Sequence, residues 1–301
     1  MIVRPRPNAF RMLLSWRGSI LPNILPQLVF VILLSVAISG FESRYPNILP
    51  ALPIAAFSLI GLALSIFLGF RNNVCYDRWW EARKEWGALI VTMRNLSRES
   101  LLLPDEVRKL VLYRAIGFAH HLNAKLRKKD NSKSMQEWLC PAEYQQFLAH
   151  PNPSDFILQL IYKDILQCFK DGLITDICYQ QLAAKVESMS SIQTACERIQ
   201  TTPLPFAYSL LLHRTSYLYC LLLPIGLGST LGFSTPIVVA VLAYTFFGLD
   251  GIGSELEEPF GLLENHLPLD AMVRTIEIDV RSSLGEENIP EPLKPVNYIL
   301  N

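Results

Sequence analysis

The chain has 301 residues, of which 27 are basic and 27 are acidic, so its formal net charge is zero. A neutral chain lacks the overall positive charge that favours nucleic-acid binding, and we expect no nucleic-acid partner. Half of the residues are hydrophobic and 18% are charged. Charged residues are nearly absent from two long blocks and frequent between them, which predicts a membrane protein with a water-exposed portion.

The first region, residues 1–23, is basic and amphipathic. Hydrophobic residues such as Phe10 and Trp16 are interspersed with arginines, and no acidic residue occurs before Glu42. This pattern is typical of a helix that lies at a membrane surface. The four arginines are Arg4, Arg6, Arg11 and Arg17.

Residues 24–70 form the first predicted transmembrane hairpin. The apolar run at 24–40 can cross about 30 Å of hydrocarbon if its helix begins near Pro22 or Pro26. A short polar loop follows, and residues 51–70 then contain no charged side chain. A buried hairpin in a soluble protein would need two helices that are apolar on every side, so two membrane spans are the simpler interpretation.

Residues 71–205 differ in character, because charged and apolar residues recur there at helical spacing. The apolar residues of 105–125 fit one stripe of a helix, and 175–200 also predicts a helix. Alternation of polar and apolar residues is almost absent, so no strands are expected. We interpret this region as a set of water-exposed helices.

Residues 206–250 are apolar and too long for one crossing. Pro224, Pro236 and the glycines between them divide the block into two spans, which form a second hairpin. Residues 251–301 are charged again and form a C-terminal segment. The predicted fold class is therefore an all-α membrane protein with four transmembrane helices per subunit and a separate helical region.

The flanking charges predict the orientation of these spans. Arginines precede the first span, and basic residues follow the second from Arg71 onward, whereas the two hairpin turns hold one arginine between them. Cytoplasmic loops carry an excess of lysine and arginine. Both termini and the helical region 71–205 are therefore expected in the cytoplasm.

Three short motifs occur in a fixed order around the spans. They are Leu13–Ile20 with its Trp-Arg-Gly-Ser sequence, Phe70–Arg83 with Arg-Trp-Trp, and Pro259–Gly261 with an acidic lead-in. Together they resemble the bestrophin family, including its bacterial branch, over about residues 8–282. The resemblance implies an ion channel of the bacterial inner membrane. It also implies a homopentamer around an axial pore, in which the second helix lines a narrow neck.

Three residues of the second span match the apolar neck positions of that family: Leu62, Ile66 and Phe70. They lie at positions i, i+4 and i+8, which is one face of a helix. Five copies would form three stacked apolar rings directly before Arg71, and a narrow apolar constriction gates by dewetting. From the residues alone, the alternative is that this face packs against a neighbouring helix.

The family also has a second constriction at the cytoplasmic exit, made by one apolar side chain per subunit. Ile177 is our candidate for this aperture, with Ile174 behind it. Both lie near the predicted start of a helix at Asp176. Ordinary packing of the two isoleucines is the alternative.

Charge predicts which ions such a channel would carry. Rings of acidic side chains select cations. An acidic cluster follows the last span, so we expect a channel for monovalent ions, and for cations such as sodium in preference to chloride. An anion channel is the alternative, because Arg71 and Arg78 can pair with these acids. The cluster consists of Asp250, Glu255, Glu257 and Glu258.

No metal site or cofactor is expected. Animal members of the family bind calcium through a dense acidic run after Pro-Phe-Gly, and Ca²⁺ takes about six to eight oxygen ligands. Here the corresponding run offers only Glu264, Asn265 and Asp270. The six cysteines show neither a C-x-x-C pair nor zinc-ligand spacing with a histidine.

No catalytic residue is assigned, because the chain has no Gly-rich phosphate loop, no His-Glu-x-x-His and no Gly-x-Ser-x-Gly. We therefore do not expect an enzyme. Two other classes stay open. One is a secondary transporter, since Pro224 to Gly232 resembles a broken membrane helix. The other is a membrane scaffold. The expected partners are other copies of the chain, the lipid bilayer and monovalent ions.

Overall fold

The computed structural model describes residues 1–4, 8, 10, 12, 15–45 and 53–301. Within these residues the structure is helical, and the β pairing is limited to isolated bridges such as Ile2 with Ile299. Short 3₁₀ turns lie at Ser100–Leu102, Ser132–Glu137 and Gly232–Ser234. The α-helices are α1 (Leu21–Arg44), α2 (Ile54–Glu99), α3 (Asp105–Leu126), α4 (Pro141–Ala149), α5 (Pro153–Lys170), α6 (Asp176–Thr201), α7 (Phe206–Leu231), α8 (Thr235–Glu257) and α9 (Leu269–Ser283).

Among the described residues, three stretches are long and apolar enough to cross a membrane: α1, α2 with the turn that follows it, and the stretch from Phe206 to Glu257. The last contains both α7 and α8. Gly232 ends α7 with a φ of 50°, a backbone conformation that favours glycine. The turn is shorter than the sequence predicted, because α7 continues through Pro224 to Leu231.

The helix α2 is 46 residues long and contains no proline. It runs without interruption from the apolar second span into the charged residues beyond Arg71. The predicted polar loop before it includes Pro46 and Pro50, which lie outside the described residues.

The chain divides into two compact units. The apolar unit comprises Arg4–Trp79 and Pro203–Pro259, and the charged unit comprises Met1–Val3, Trp80–Thr202 and Phe260–Asn301. The unit boundaries therefore fall near 80, 203 and 260, whereas the predicted regions divide at 71, 206 and 251. Of the predicted N-terminal amphipathic segment, Arg6, Arg11, Leu13 and Leu14 lie outside the described residues.

The apolar unit has a core formed by α1, α7, α8 and one side of α2. Its buried residues include Val31, Leu68, Leu223, Val239 and Ala243. Small residues permit close packing in this unit: a Cβ on Gly251 would lie 2.8 Å from Cγ1 of Ile20.

The charged unit has a second core, formed mainly by amphipathic helices. Trp86, Phe118, Ile157 and Leu182 are fully buried there. The two helices predicted at 105–125 and 175–200 are confirmed as α3 and α6. The α6 helix begins after Thr175, whose side-chain oxygen accepts a hydrogen bond from the backbone N–H of Cys178.

Candidate ion pathway

The neck face is the side of α2 that bears Leu62, Ile66 and Phe70. The described part of the chain leaves these side chains largely uncovered, with exposed fractions of 61%, 48% and 58%. An uncovered apolar face on a membrane-length helix contacts lipid, another subunit or a pore.

The opposite side of α2 is buried against the chain. Its residues recur every three or four positions, as one helix face requires. They are Phe57, Gly61, Leu64, Leu68, Arg71 and Cys75. Within the described residues, the packed face of α2 is therefore a different one from the neck face.

Close packing holds this buried side against α7. The rings of Phe57 and Tyr219 have centroids 6.2 Å apart. A Cβ on Gly61 would lie 2.5 Å from the hydroxyl oxygen of Tyr219, and a Cβ on Gly226 would overlap the ring of Phe57. Because neither glycine carries a side chain, α2 and α7 can approach each other closely. This packing turns the neck face away from α7.

A buried polar cluster lies immediately after the neck residues, with Arg71 at its centre. Arg71 is 3% exposed. Its Nη1 donates to Oδ1 of Asp250 at 2.6 Å, and its Nη2 donates to the hydroxyl of Ser254 at 3.1 Å and to Oε2 of Glu257 at 3.4 Å. A buried ion pair is tolerated when further hydrogen bonds accompany it, and here Nη1 and Nη2 of Arg71 both donate, whereas its Nε has no partner among the described residues.

Further hydrogen bonds join the same part of α2 to α8. Nδ2 of Asn72 donates to the backbone oxygen of Leu249 at 3.1 Å, and Nε of Arg78 donates to that of Glu257 at 2.8 Å. The part of α2 that follows Phe70 is therefore held by polar bonds as well as by apolar packing.

A histidine on α7 completes the cluster, and sequence reasoning did not place it there. Nδ1 of His213 lies 2.7 Å from Oδ2 of Asp250, so this carboxylate bridges an arginine and a histidine. The two residues are 37 positions apart on different helices. No local pattern in a single sequence signals such a pair.

The acidic residues that favoured cations have mostly structural contacts. Asp250 and Glu257 are partners of Arg71, and Glu257 also accepts a hydrogen bond from the backbone N–H of Leu204 at 3.1 Å. Glu255 accepts one from Nδ2 of Asn23 at 2.8 Å. Glu258 alone of the four predicted acids is exposed.

The predicted aperture residues lie at the start of α6 in the charged unit. Ile177 is in the first turn of the helix and is 65% exposed, whereas Ile174 precedes the helix and is 8% exposed. Ile177 is thus the isoleucine available to line a passage, and Ile174 belongs to the local core.

The acidic run after Gly261 is also used for packing. Asp270 pairs with Arg127 at 2.5 Å and accepts a hydrogen bond from Nδ2 of Asn123 at 2.7 Å. Burial raises the pKa of Asp270, but the hydrogen bond from Asn123 and the charge of Arg127 outweigh it, so the pKa is lowered overall. Across the described residues, no group of three or more His, Cys, Asp or Glu side chains is arranged to hold a metal ion.

Membrane-length apolar helices, an uncovered apolar face on one of them and a helical charged unit define an all-helical integral membrane protein. The family model described as "Bacterial/Fungal Bestrophin protein" matches residues 1–282. The chain therefore belongs to the bestrophin family, as its three motifs predicted.

Two named relatives and one solved structure illustrate the similarity. The voltage-dependent anion channel-forming protein mll4386 of Mesorhizobium japonicum is 44% identical over 288 residues, which cover 95% of this chain and 93% of that protein. YneE of Escherichia coli, also named a voltage-dependent anion channel-forming protein, is 39% identical and covers 98% of both chains. A bacterial bestrophin homologue from Klebsiella pneumoniae has 36% identity and a TM-score of 0.82, and the match covers 88% of this chain and all of that one.

These relatives bear on the predicted ion. Both are named as anion channels, so the preference for cations such as sodium is not supported and the alternative of an anion channel fits better. The physical reason is that two of the four acids behind that preference, Asp250 and Glu257, are ion-paired with Arg71, and a third, Glu255, is hydrogen-bonded to Asn23. A paired carboxylate contributes little net charge to a pathway.

Proposed function

We propose that this chain is the pore-forming subunit of a bestrophin channel that conducts anions such as chloride across the bacterial inner membrane. The observation that carries this proposal is the neck face of α2. Leu62, Ile66 and Phe70 are uncovered in the single chain, while the other side of the same helix is fixed by buried packing. Around a five-fold axis, this face forms the narrowest part of a pore.

The proposed assembly is a homopentamer with four crossings per subunit. The crossings are α1, the first part of α2, α7 and α8. Both termini lie in the cytoplasm, because the basic residues flank the cytoplasmic ends of these spans. In this arrangement the neck lies toward the cytoplasmic end of its span, since Arg71 and the charged part of α2 follow at once.

The proposed gate acts by dewetting. Three stacked rings of leucine, isoleucine and phenylalanine exclude water when the neck is narrow. An ion cannot then cross, because it would have to give up its hydration shell. The gate itself carries no charge and does not distinguish anions from cations. The aperture at Ile177 is proposed as a second apolar constriction.

The test is single-channel recording from purified protein in planar bilayers, with Phe70→Ala as the main variant. We expect stepwise currents from the unmodified chain and a larger conductance or open probability from the variant. Phe67→Ala is the matched control, because Phe67 is 50% exposed on the same helix but lies away from the neck face. It should leave the currents unchanged.

Other outcomes decide against the proposal. Equal currents from the unmodified chain and both Phe70→Ala and Ile66→Ala would reject the neck. Saturable flux without steps would indicate a transporter, and silence of correctly assembled protein would indicate a scaffold. A reversal potential near that of sodium in a sodium chloride gradient would reject anion conduction.

A further inference from the structure

The neck face does not end at Phe70. α2 continues without a break, and the positions that follow on the same side are Asn73 and Asp77. Their steps of three and four residues keep them in line with Leu62, Ile66 and Phe70. Both side chains are exposed, so the uncovered face changes from apolar to polar within the apolar unit.

Asp77 has no ion-pair or hydrogen-bond partner among the described residues. Its neighbour Arg78 is directed elsewhere, because its Nε donates to the backbone oxygen of Glu257 at 2.8 Å. The acids of the last span differ in this respect: Asp250 and Glu257 are held by Arg71. Asp77 is therefore a carboxylate whose charge no described residue compensates by an ion pair.

The distance from the neck makes this charge relevant to an ion there. Seven residues of α-helix rise about 10 Å, so Asp77 lies about 10 Å beyond Phe70 along the helix axis. That is about one Debye length at 0.1 M salt, and a low-dielectric wall weakens screening further. A carboxylate in this position attracts cations to the neck and repels anions from it.

We infer that Asp77 determines charge selectivity, as an acidic ring at the cytoplasmic side of the neck that reduces the preference for anions. This inference rests on the proposed function, since it requires that the neck face lines the pore. The relatives are named as anion channels. In this channel, the negative ring opposes the preference for anions over cations and limits its strength. No other described carboxylate of α2 in the apolar unit lies on this face.

The experiment measures the chloride-to-sodium permeability ratio from reversal potentials in asymmetric sodium chloride. Asp77→Asn should raise the ratio about two- to tenfold because it removes a negative charge from the pathway, and Asp77→Lys should raise it further because it adds a positive charge. Asp77→Glu should keep the ratio of the unmodified channel. Glu258→Gln is the control, since it neutralises an exposed acid at the end of α8, and it should change nothing.

A second measurement needs no variant. In the unmodified channel, the ratio should rise between 0.1 M and 1 M salt, as the Debye length falls from about 10 Å to about 3 Å. Asp77→Asn should abolish this dependence. A ratio that is independent of salt in the unmodified channel would overturn the inference even if every variant failed to assemble.

The two proposals fail differently. If Phe70→Ala changes conductance while the Asp77 variants keep the original ratio, the inference is overturned and the pore assignment stands. If neither position affects the currents, the neck face does not line the pore and both proposals are rejected. An increase with Glu258→Gln as large as that with Asp77→Asn would assign the selectivity to diffuse surface charge instead.

Discussion

The apolar unit and the charged unit differ in how their ion pairs are distributed. In the apolar unit, buried charge is concentrated in one cluster around Arg71, Asp250 and Glu257, next to the neck. In the charged unit, ion pairs are spread over several helices, such as Arg114 with Glu143 and Arg127 with Asp270. The ion pairs of the apolar unit thus fix one part of α2, whereas those of the charged unit join several helices to one another.

The largest expected effect breaks the cluster of the apolar unit. Arg71→Met leaves Asp250 buried without its cation, and we expect a loss of about 3–5 kcal/mol in the free energy of unfolding. The measurement is unfolding in detergent, followed by the mobility of the oligomer. Arg198→Ala is the control, because Arg198 pairs with Glu81 at 2.5 Å but is 64% exposed, and its loss should cost at most about 1 kcal/mol.

A double variant separates the ion pair from its surroundings. Arg71→Met combined with Asp250→Asn removes both charges and should be less destabilised than the sum of the two single variants. Strict additivity would show that Arg71 and Asp250 do not interact. Arg71→Lys should recover only part of the stability, because lysine lacks the planar fork that reaches both Asp250 and Ser254.

The next largest effect comes from truncating one buried leucine in each unit and comparing the loss in the free energy of unfolding. Leu122 in the charged unit and Leu68 in the apolar unit are both fully buried. Leu122→Ala should cost about 2–5 kcal/mol, since it loses both the transfer from water and the filled volume. Leu68→Ala should cost roughly 1–2 kcal/mol, because lipid is as apolar as the core and mainly packing is lost.

The pair is measured under the same detergent conditions, with Leu101→Ala as control. Leu101 is 68% exposed, and its truncation should change the free energy of unfolding by less than about 0.5 kcal/mol. Equal losses for Leu68→Ala and Leu122→Ala would mean that Leu68 is transferred from water on folding. The assignment of this part of α2 to the membrane would then be wrong.

Much of the fold could be predicted because the signals are local. Hydropathy locates the spans, and apolar spacing locates α3 and α6 almost to the residue. The end of α8 could not be predicted, because charged residues from Asp250 onward suggest that the span has ended. The helix continues to Glu257 since Arg71 compensates these acids, and the pairing joins positions 179 and 186 residues apart.

The candidate site shows the same division. The face of Leu62, Ile66 and Phe70 was predicted because these residues match the apolar neck positions of the bestrophin family and share one side of a helix. Asp77 lies seven residues after Phe70, so helical spacing places it on the same face. It was not singled out, because it lies within a run of charged residues. The partners of Asp250 could not be predicted, since they come from helices that only the folded chain brings together.

The smallest expected effect concerns a titratable group of the charged unit, His121 on α3. Its Nδ1 lies 3.1 Å from Oδ1 of Asn131, and its ring meets that of Phe147 edge-on at 4.9 Å. Burial lowers the pKa of His121 from its usual 6.5, and this outweighs the opposing effect of the hydrogen bond with Asn131.

Because the folded state holds His121 neutral, the unfolded chain takes up a proton first as the pH falls. The stability that this group contributes is complete above pH 6.5 and is lost as the pH falls through the lowered folded pKa. One group changes the free energy of unfolding by at most about 1.4 kcal/mol per pH unit. Unfolding at pH 7.5 and 5.5 should therefore show a smaller loss in His121→Phe than in the unmodified chain. The same loss in both would assign the acid sensitivity to other titratable groups of the chain.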